Sequence, residues 1–379
     1  MFLAVRELIY ARSRFALMGS VVALISVLMV LLAGLSSGLV NDGVSGLQRM
    51  PVQGFAFAAE TRTDSAFTRS VVGPEQVDQW AARPDVADAT PMGLSIINAK
   101  TSAGTPVDLT LIGADTQGPL IPAVAQGRAP AADGEILVSS TAADNVELGD
   151  TVTVDRLGIP LTVVGIAADQ HTFGHVDMAF TTLTTWQDVH AGTRVGEEPR
   201  SGARQEYSVV AISGVDGKLP DLAAGDAAAG TSARDLAEAF NSSPGYEAET
   251  MTMSMITWFL YAISALVVGA FFAILTVQRS REIAVLRAMG ASTIRLLVDA
   301  VGQALILLAG SIAIGVAIGV AIGVGLGSLL VGTGMPFALE AGPIALGAFL
   351  LLALGLVGAT LATIRISSVD PHSALGENR

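Results

Sequence analysis

Gln278-Arg-Ser-Arg-Glu-Ile-Ala-Val-Leu-Arg-Ala-Met-Gly-Ala-Ser292 is a short, basic, amphipathic stretch set between two long uncharged apolar runs. The whole 379-residue chain is 51% hydrophobic and only 15% charged, the composition of an integral membrane protein. Four runs carry no Asp, Glu, Lys, Arg or His: Phe15–Asn41, Thr250–Gln278, Ala300–Leu339 and Ala341–Ile364. A spanning helix needs about 20 apolar residues, so each run is long enough to cross a bilayer. Gly332, Gly334 and Pro336 mark where the third helix should stop. The opening stretch is then a loop that leaves the membrane and turns straight back into it.

Basic residues set the expected orientation. Arg6, Arg12 and Arg14 precede the first span, Arg279, Arg281, Arg287 and Arg295 separate the second and third, and Arg365 follows the fourth. The positive-inside rule puts all of them, and both termini, in the cytoplasm of a multi-pass plasma-membrane protein. Residues 42–249 then fall outside with 28 acidic and 12 basic groups, whereas the remainder has 6 acidic and 9 basic. The acidic balance therefore belongs to a solvated outer domain and argues against a nucleic-acid partner.

The expected order begins with a cytoplasmic interfacial segment at 1–14, a first span with an outward extension at 15–50, and the outer domain at 51–249. A second span at 250–278, a cytoplasmic helix at 279–295 and a third span at 296–331 follow. An outer turn at 332–342, a fourth span at 343–364 and a cytoplasmic tail at 365–379 complete it. The first apolar run is far longer than the ~7–15 residues of a secretory signal core, so an uncleaved anchor is expected. Phe2, Val5 and Ile9 share one helical face ahead of it, which suits an interfacial helix, though a frayed start fits equally.

Within the outer domain, apolar and polar residues alternate in short blocks bounded by turn residues, the pattern of strands. Such blocks are Gly93–Asn98, Val107–Ile112, Glu135–Ser139, Thr151–Val154 and Pro160–Ile166. Gly73–Val86 and Ser232–Phe240 read as helical, and residues 191–230, rich in Gly, Ala and charge, as a mobile excursion. The expected fold class is a four-span α-helical membrane protein with an extracellular α+β domain of mixed sheet and flanking helices. Asp133-Gly134 and Gly149-Asp150 should turn the chain, and Gly165 should mark a bulge or a close backbone approach.

Side-chain chemistry is sparse. There is no cysteine, hence no disulfide framework, thiol nucleophile or thiolate metal site. No Gly-x-x-x-x-Gly-Lys-Ser/Thr loop, His-Glu-x-x-His or Gly-x-Ser-x-Gly occurs. Among the histidines, His171, His175, His190 and His372, the first two stand four apart, but Thr172-Phe-Gly174 between them reads as a turn, so no metal site is expected. Neither an enzyme nor an intrinsic cofactor is indicated. Any energy for work must come from another polypeptide.

Ile283, Leu286 and Met289, with Val285, form an apolar stripe at helical spacing, flanked by Arg279, Arg281, Glu282 and Arg287. Gly290 is a helix stop, and Ser292 caps the next helix. From pattern alone, such a segment either docks into a partner's groove or only fixes topology. Arg281-Glu-Ile-Ala-Val-Leu-Arg-Ala-Met-Gly-Ala-Ser292 resembles the coupling helix of the MacB/FtsX-like permeases of ATP-binding-cassette systems. Val369-Asp-Pro-His-Ser-Ala-Leu375 is similar to that family's closing Asp-Pro-x-x-Ala-Leu. Gly127-Arg-Ala-Pro…Gly134-Glu-Ile…Gly149-Asp-Thr-Val resembles its periplasmic core domain. The resemblance implies a homodimeric permease driven by two copies of a separate cytoplasmic ATPase that binds ATP and Mg, with mechanotransmission to the outer domain. It assigns Arg281, Glu282, Ile283, Leu286, Arg287, Met289 and Gly290 to ATPase coupling. Membrane lipids are the remaining expected contact.

Gly315, Gly319, Gly323 and Gly327 recur every four residues in the third span, a smooth strip for helix packing. Cargo is less determined. Family members export haem, antibiotics, peptides or lipoproteins, or activate cell-wall hydrolases, and overall resemblance to haem-exporting members implies haem as transported substrate. The alternatives are efflux of another hydrophobic drug, peptide or lipid, or mechanical control of a cell-wall hydrolase. Candidate contacts lie where the chain meets the outer membrane surface: Arg49, Met50, Tyr246, Glu247, Glu249, Met251, Met253, Met255 and Trp258. Met, Tyr and carboxylate are haem-iron ligands or neighbours, and Arg49 suits a propionate. The same Met and Trp residues equally suit a greasy cargo or simple anchoring in the interface.

If the opening stretch couples the chain to an ATPase, Glu282→Lys and Gly290→Pro each abolish cargo export while membrane insertion, followed by fractionation, stays intact. Unchanged export in both variants would remove it as the docking element.

Overall fold

The computed structural model describes residues 12–278, 289, 292–330 and 336–367. It begins with a 37-residue helix α1 (Arg12–Gln48), strand β1 (Gly54–Ala58) and helices α2 (Ala66–Arg69) and α3 (Pro74–Ala81). Strands β2 (Val86–Thr101), β3 (Pro106–Ala114), β4 (Val124–Gly127), β5 (Glu135–Val138), β6 (Thr151–Val154) and β7 (Pro160–Ala167) follow. Then come β8 (Thr172–Phe173), β9 (Val176–Thr182), α4 (Leu183–His190), β10 (Val209–Gly214), α5 (Leu222–Ala229), β11 (Thr231–Asp235) and α6 (Leu236–Ala239). Three long helices close the order: α7 (Tyr246–Gln278), α8 (Thr293–Leu330) and α9 (Ala341–Ser367). The chain forms two compact units, Val40–Glu249 and Met1–Leu39 with Thr250–Arg379.

Val40–Glu249 is a mixed-sheet domain. Its 11 strands run β11-β1-β10-β2-β3-β9-β5-β7-β4, with β6 on β2 and β7 and β8 on β9. Pairing is mostly antiparallel, but β3 with β9 and β5 with β7 are parallel. The 16-residue β2 organises it: residues before Gly93 pair with β10, and Gly93–Lys100 pair with β3. One core gathers Phe55, Phe57, Phe67 and Phe173, stacked edge-to-face at 5.0–5.4 Å. A second lies under α4, whose Trp186 has no exposed surface.

Glycine explains how that indole fits. Gly93 and Gly113 are direct partners across β2 and β3. A Cβ on Gly93 would lie 2.0 Å from the Trp186 ring, and one on Gly113 2.3 Å from its Cβ. The ring therefore occupies space that two side chains would fill, and its Nε1 donates to Ser95 Oγ at 3.0 Å. Gly165 does what its position suggested. It sits at a register shift between β5 and β7, and its Cα faces the Arg128 carbonyl so closely that a Cβ would stand 2.3 Å away. Gly134 and Gly149 adopt φ of 80° and 93° at the expected turns.

Two expectations fail. Ser232–Asp235 is edge strand, not helix, because β1 offers a full antiparallel ladder from Gly54 to Ala58; only from Asp235, whose carboxylate caps Glu238 N at 2.7 Å, does helix begin. Residues 191–230, expected as a mobile excursion, contain the buried strand β10 and helix α5. The Gly and Ala content there serves close packing: a Cβ on Gly225 would stand 2.0 Å from the Trp80 ring. Gly73–Val86 divides into α3, with Pro74 in its first turn, and the start of β2.

Among the described residues, four helices are long and apolar enough to span a membrane: Phe15–Gln48, Tyr246–Gln278, Leu297–Gly327 and Ala341–Ile364. In this unit Met18, Val22, Met29 and Val30 of α1 pack with Tyr261, Val268 and Phe272 of α7, Leu308 and Ile312 of α8, and Leu351 of α9. The glycine strip of α8 faces α1 and the segment before α9. A Cβ would meet Ala23 O at 2.3 Å from Gly315, Val30 Cβ at 2.8 Å from Gly319 and Leu339 at 3.0 Å from Gly323, whereas Gly327 has nothing within 4 Å. Buried hydroxyls return to their own helix, as in Ser26 Oγ to Val22 O at 2.8 Å.

Gly93→Val should cost the sheet domain ~1–3 kcal/mol through overpacking against Trp186. Calorimetry of the full chain in detergent should show this as a lowered melting transition of a few degrees. An unchanged transition would mean the indole does not lie on that glycine pair.

Candidate functional site

The candidate site is built where the end of α1, the β8–β9 hairpin and the head of α7 meet inside the sheet domain. Val44, Ser45 and Leu47 of α1 have no exposed surface, so this last part of the helix is domain core. Ser45 Oγ lies 2.7 Å from Thr172 Oγ1 and accepts from Thr172 N at 3.0 Å. Two helix carbonyls take a second donor from outside the helix: Gly43 O from Gly174 N at 2.9 Å and from Ser243 Oγ at 3.1 Å, and Asn41 O from Thr172 Oγ1 at 3.4 Å. Gly46 lets Met178 approach, since a Cβ there would stand 2.2 Å from its sulfur.

The hairpin turns in two residues. Gly174 and His175 both have positive φ, 59° and 62°, the signature of a type I′ turn whose twist matches the flanking strands. This places the His175 ring at the tip. Its Nδ1 is 2.8 Å from Asp42 Oδ2, on α1, and its Nε2 is 3.1 Å from both carboxylate oxygens of Glu249, on α7. Gln170 Nε2 donates to Asp42 Oδ1 at 3.1 Å and so orients that carboxylate. Burial opposes protonation of His175, but the two carboxylates outweigh it and hold its pKa above the usual value.

His171 is its opposite. The ring is buried edge-on against Phe180, and its Nδ1 has no hydrogen-bond partner. Burial, with the Arg49 charge, drives its pKa down to about 4, so it is neutral at physiological pH. Asp177, on the β9 strand of the hairpin opposite Thr172, is pushed above the ordinary carboxylate range by burial, against the pull of the Thr141 and Ser139 hydroxyls. Thr172 and Phe173, expected within the turn, form strand β8; the turn falls on Gly174 and His175 and sends the two rings to different environments. Among the described residues no group of three or more His, Asp or Glu is arranged to hold a metal ion.

The sequence candidates disperse. Glu249 is in the histidine pair, and Tyr246 stacks edge-on with Phe240 at 6.1 Å, close to Gly43. Arg49 is exposed just past α1, its Nη1 3.4 Å from Ser45 O. Met50 is 6% exposed in the domain core, where it fills space among Leu47, Val52 and Phe55, so it has no surface to offer a ligand. Glu247 is exposed on the first turn of α7. Met251, Met255 and Trp258 are exposed further along the same helix and Met253 is half-buried. Of the coupling residues, Arg281, Glu282, Ile283, Leu286, Arg287 and Gly290 lie outside the described residues, as does the tail 369–375, and Met289 is exposed. Sequence reasoning missed Asp42 and His175 as partners; they stand 133 residues apart, and no local pattern links them.

Comparison with known proteins places these features. Residues 15–239 match the MacB-like periplasmic core domain and residues 254–371 the FtsX-like permease C-terminal family. A Staphylococcus haemolyticus (strain JCSC1435) protein bearing the name hemin transport system permease protein HrtB is 23% identical over 384 residues, 99% of each chain. An uncharacterized ABC transporter permease of Mycobacterium tuberculosis (strain ATCC 25618 / H37Rv) is 25% identical over 380 residues, again 99% of each chain. The solved extracellular domain of the noncanonic ABC-type transporter YknZ from Gram-positive bacteria aligns at 13% identity and a TM-score of 0.34, covering 48% of this chain and 98% of that one.

Ser45→Ala should strand the buried Thr172 N–H and destabilise the site by ~1–3 kcal/mol. Hydrogen exchange on the full chain should then rise selectively in the hairpin 172–176 and the end of α1. Exchange that stays at wild-type levels there would refute the role given to Ser45.

Proposed function

This chain belongs to the family of ABC-type permeases that combine a MacB-like periplasmic core domain with an FtsX-like permease C-terminal segment, and from that premise we propose that it exports haem from the outer-leaflet region of the membrane. It works as a homodimer driven by two copies of a separate cytoplasmic ATPase, which supplies the ATP site that its own sequence lacks. Both termini are cytoplasmic, and the sheet domain faces outward.

One observation carries the choice of cargo. A relative that aligns over 99% of both chains bears a hemin-transport name, and the start of α7 presents chemistry suited to that cargo. Tyr246, Glu247 and Glu249 lie at the head of the helix, and Met251, Met253, Met255 and Trp258 on its following turns. Tyr and Met supply axial oxygen and sulfur for iron, and exposed Met and Trp surface suits a flat apolar macrocycle. Met50 has no part, because it is buried. The exposed apolar surface of α7 also supports the second reading, efflux of another hydrophobic drug, peptide or lipid.

Adding haem to the purified permease in detergent should produce a Soret band. That band should weaken in Tyr246→Phe and Met255→Ala, and cells lacking the gene should become haem-sensitive. No band at micromolar haem would end the haem reading. Sensitivity to an unrelated hydrophobic compound, without haem sensitivity, would favour the second one.

A further inference from the structure

We propose that His175 is a positioning residue whose doubly protonated ring pins the head of α7 to the end of α1, and that the pin releases when the ring loses a proton. Three observations carry this. Both ring nitrogens are within hydrogen-bond distance of a carboxylate, Nδ1 at 2.8 Å from Asp42 and Nε2 at 3.1 Å from Glu249. Carboxylates at both nitrogens are acceptors, so the arrangement is satisfied only when both nitrogens carry a proton. The ring is held at a two-residue turn in a left-handed conformation, φ 62°, which presents it outward from the hairpin instead of burying it.

Among the described residues, the charged groups acting on the ring are the carboxylates of Asp42 and Glu249. From α1 the ring meets Asp42, from α7 Glu249 with Tyr246 nearby, and from β9 Asp177 stands behind Asp42; Pro244 packs on the turn at Gly174. Arg49 is directed instead at the His171 side. The side chains of Asp42, His175 and Glu249 are 24%, 31% and 38% exposed, so solvent protons reach the site. A neutral imidazole keeps one proton. One of its nitrogens then faces a carboxylate lone pair to lone pair, and either Asp42 or Glu249 is repelled.

The sign follows from the raised pKa. The link is fully present below the unperturbed value of ~6.5 and is lost as pH rises through the higher folded value. Asp42 and Glu249 stand on the parts of α1 and α7 that belong to this domain, so this one proton decides whether those two helix ends are joined. The inference rests on the geometry of the sheet domain and not on the identity of the cargo, and its test uses no cargo.

The full chain has no cysteine, so nitroxide labels at Gln48→Cys and Ala248→Cys, in protein diluted with an excess of unlabelled permease, report the two helices of one protomer. Pulsed EPR should give a narrow distance distribution at pH 6 that broadens by pH 9. His175→Asn, which tolerates the left-handed turn, should be broad at both pH values, as should Asp42→Asn. In parallel, the His175 ring proton followed by NMR should titrate above pH ~6.5, and its midpoint should fall by about 1 pH unit in Glu249→Gln. A distribution that does not change between pH 6 and pH 9, or a His175 midpoint at or below the ordinary value, would overturn the proposal. Neither outcome touches the haem reading, which fails only in the Soret and sensitivity assays.

Discussion

The last turns of α1 are made of residues that a membrane helix has no need to bury, and the sheet domain depends on their burial. Val44, Ser45 and Leu47 are fully enclosed, and the carbonyls of Asn41 and Gly43 accept hydrogen bonds from outside the helix as well as within it. A helix enters a protein core in this way only if its backbone is satisfied internally, and α1 meets that condition by running unbroken from Arg12 to Gln48. The β8–β9 hairpin is then held by backbone and hydroxyl bonds, and its two-residue turn leaves one place for the next side chain, between the two helices.

Small residues recur wherever two elements approach closely, and for one reason in both units. Gly93 and Gly113 make room for the Trp186 ring, Gly225 for that of Trp80, Gly46 for Met178, and Gly315 and Gly319 for α1 against α8. In each case the missing Cβ is replaced by a neighbour's ring, sulfur or backbone, so van der Waals contact is retained while the elements come nearer. A composition of 41 glycines therefore signals tight packing as much as turns. The glycine- and alanine-rich 191–230 accordingly holds a strand and a helix, β10 and α5.

The candidate site was half legible. That chemistry would gather near residues 41–50 and 240–258 followed from where apolar runs end and polar sequence begins, and Glu249 was among the residues named. His175 was seen only as a poor metal ligand because Gly174 turns the chain. That turn is the feature that gives the ring its position. Its partners could not be read, since Asp42 lies 133 and Glu249 74 residues away and no periodicity spans such distances. Met50 shows the complementary limit: a methionine after a helix end looks the same in sequence whether it faces lipid, ligand or core, and here it packs in the core with Leu47 and Phe55.

By itself, the sequence determined what depends on local composition. It set the four apolar helices, the alternating strands β2, β3, β5, β6 and β7, the turns at Gly134 and Gly149, and the family. Each follows from hydrophobic periodicity, glycine's backbone freedom or a contiguous motif. Tertiary structure alone decided which strand would claim Ser232–Asp235, which glycines would lie under tryptophans and which of two neighbouring histidines would have its pKa raised and which lowered. Those outcomes depend on groups far apart in the chain meeting at distances of a few ångströms. Hydrogen-bond geometry, burial and charge fall off over that same range, so only the folded chain sets them.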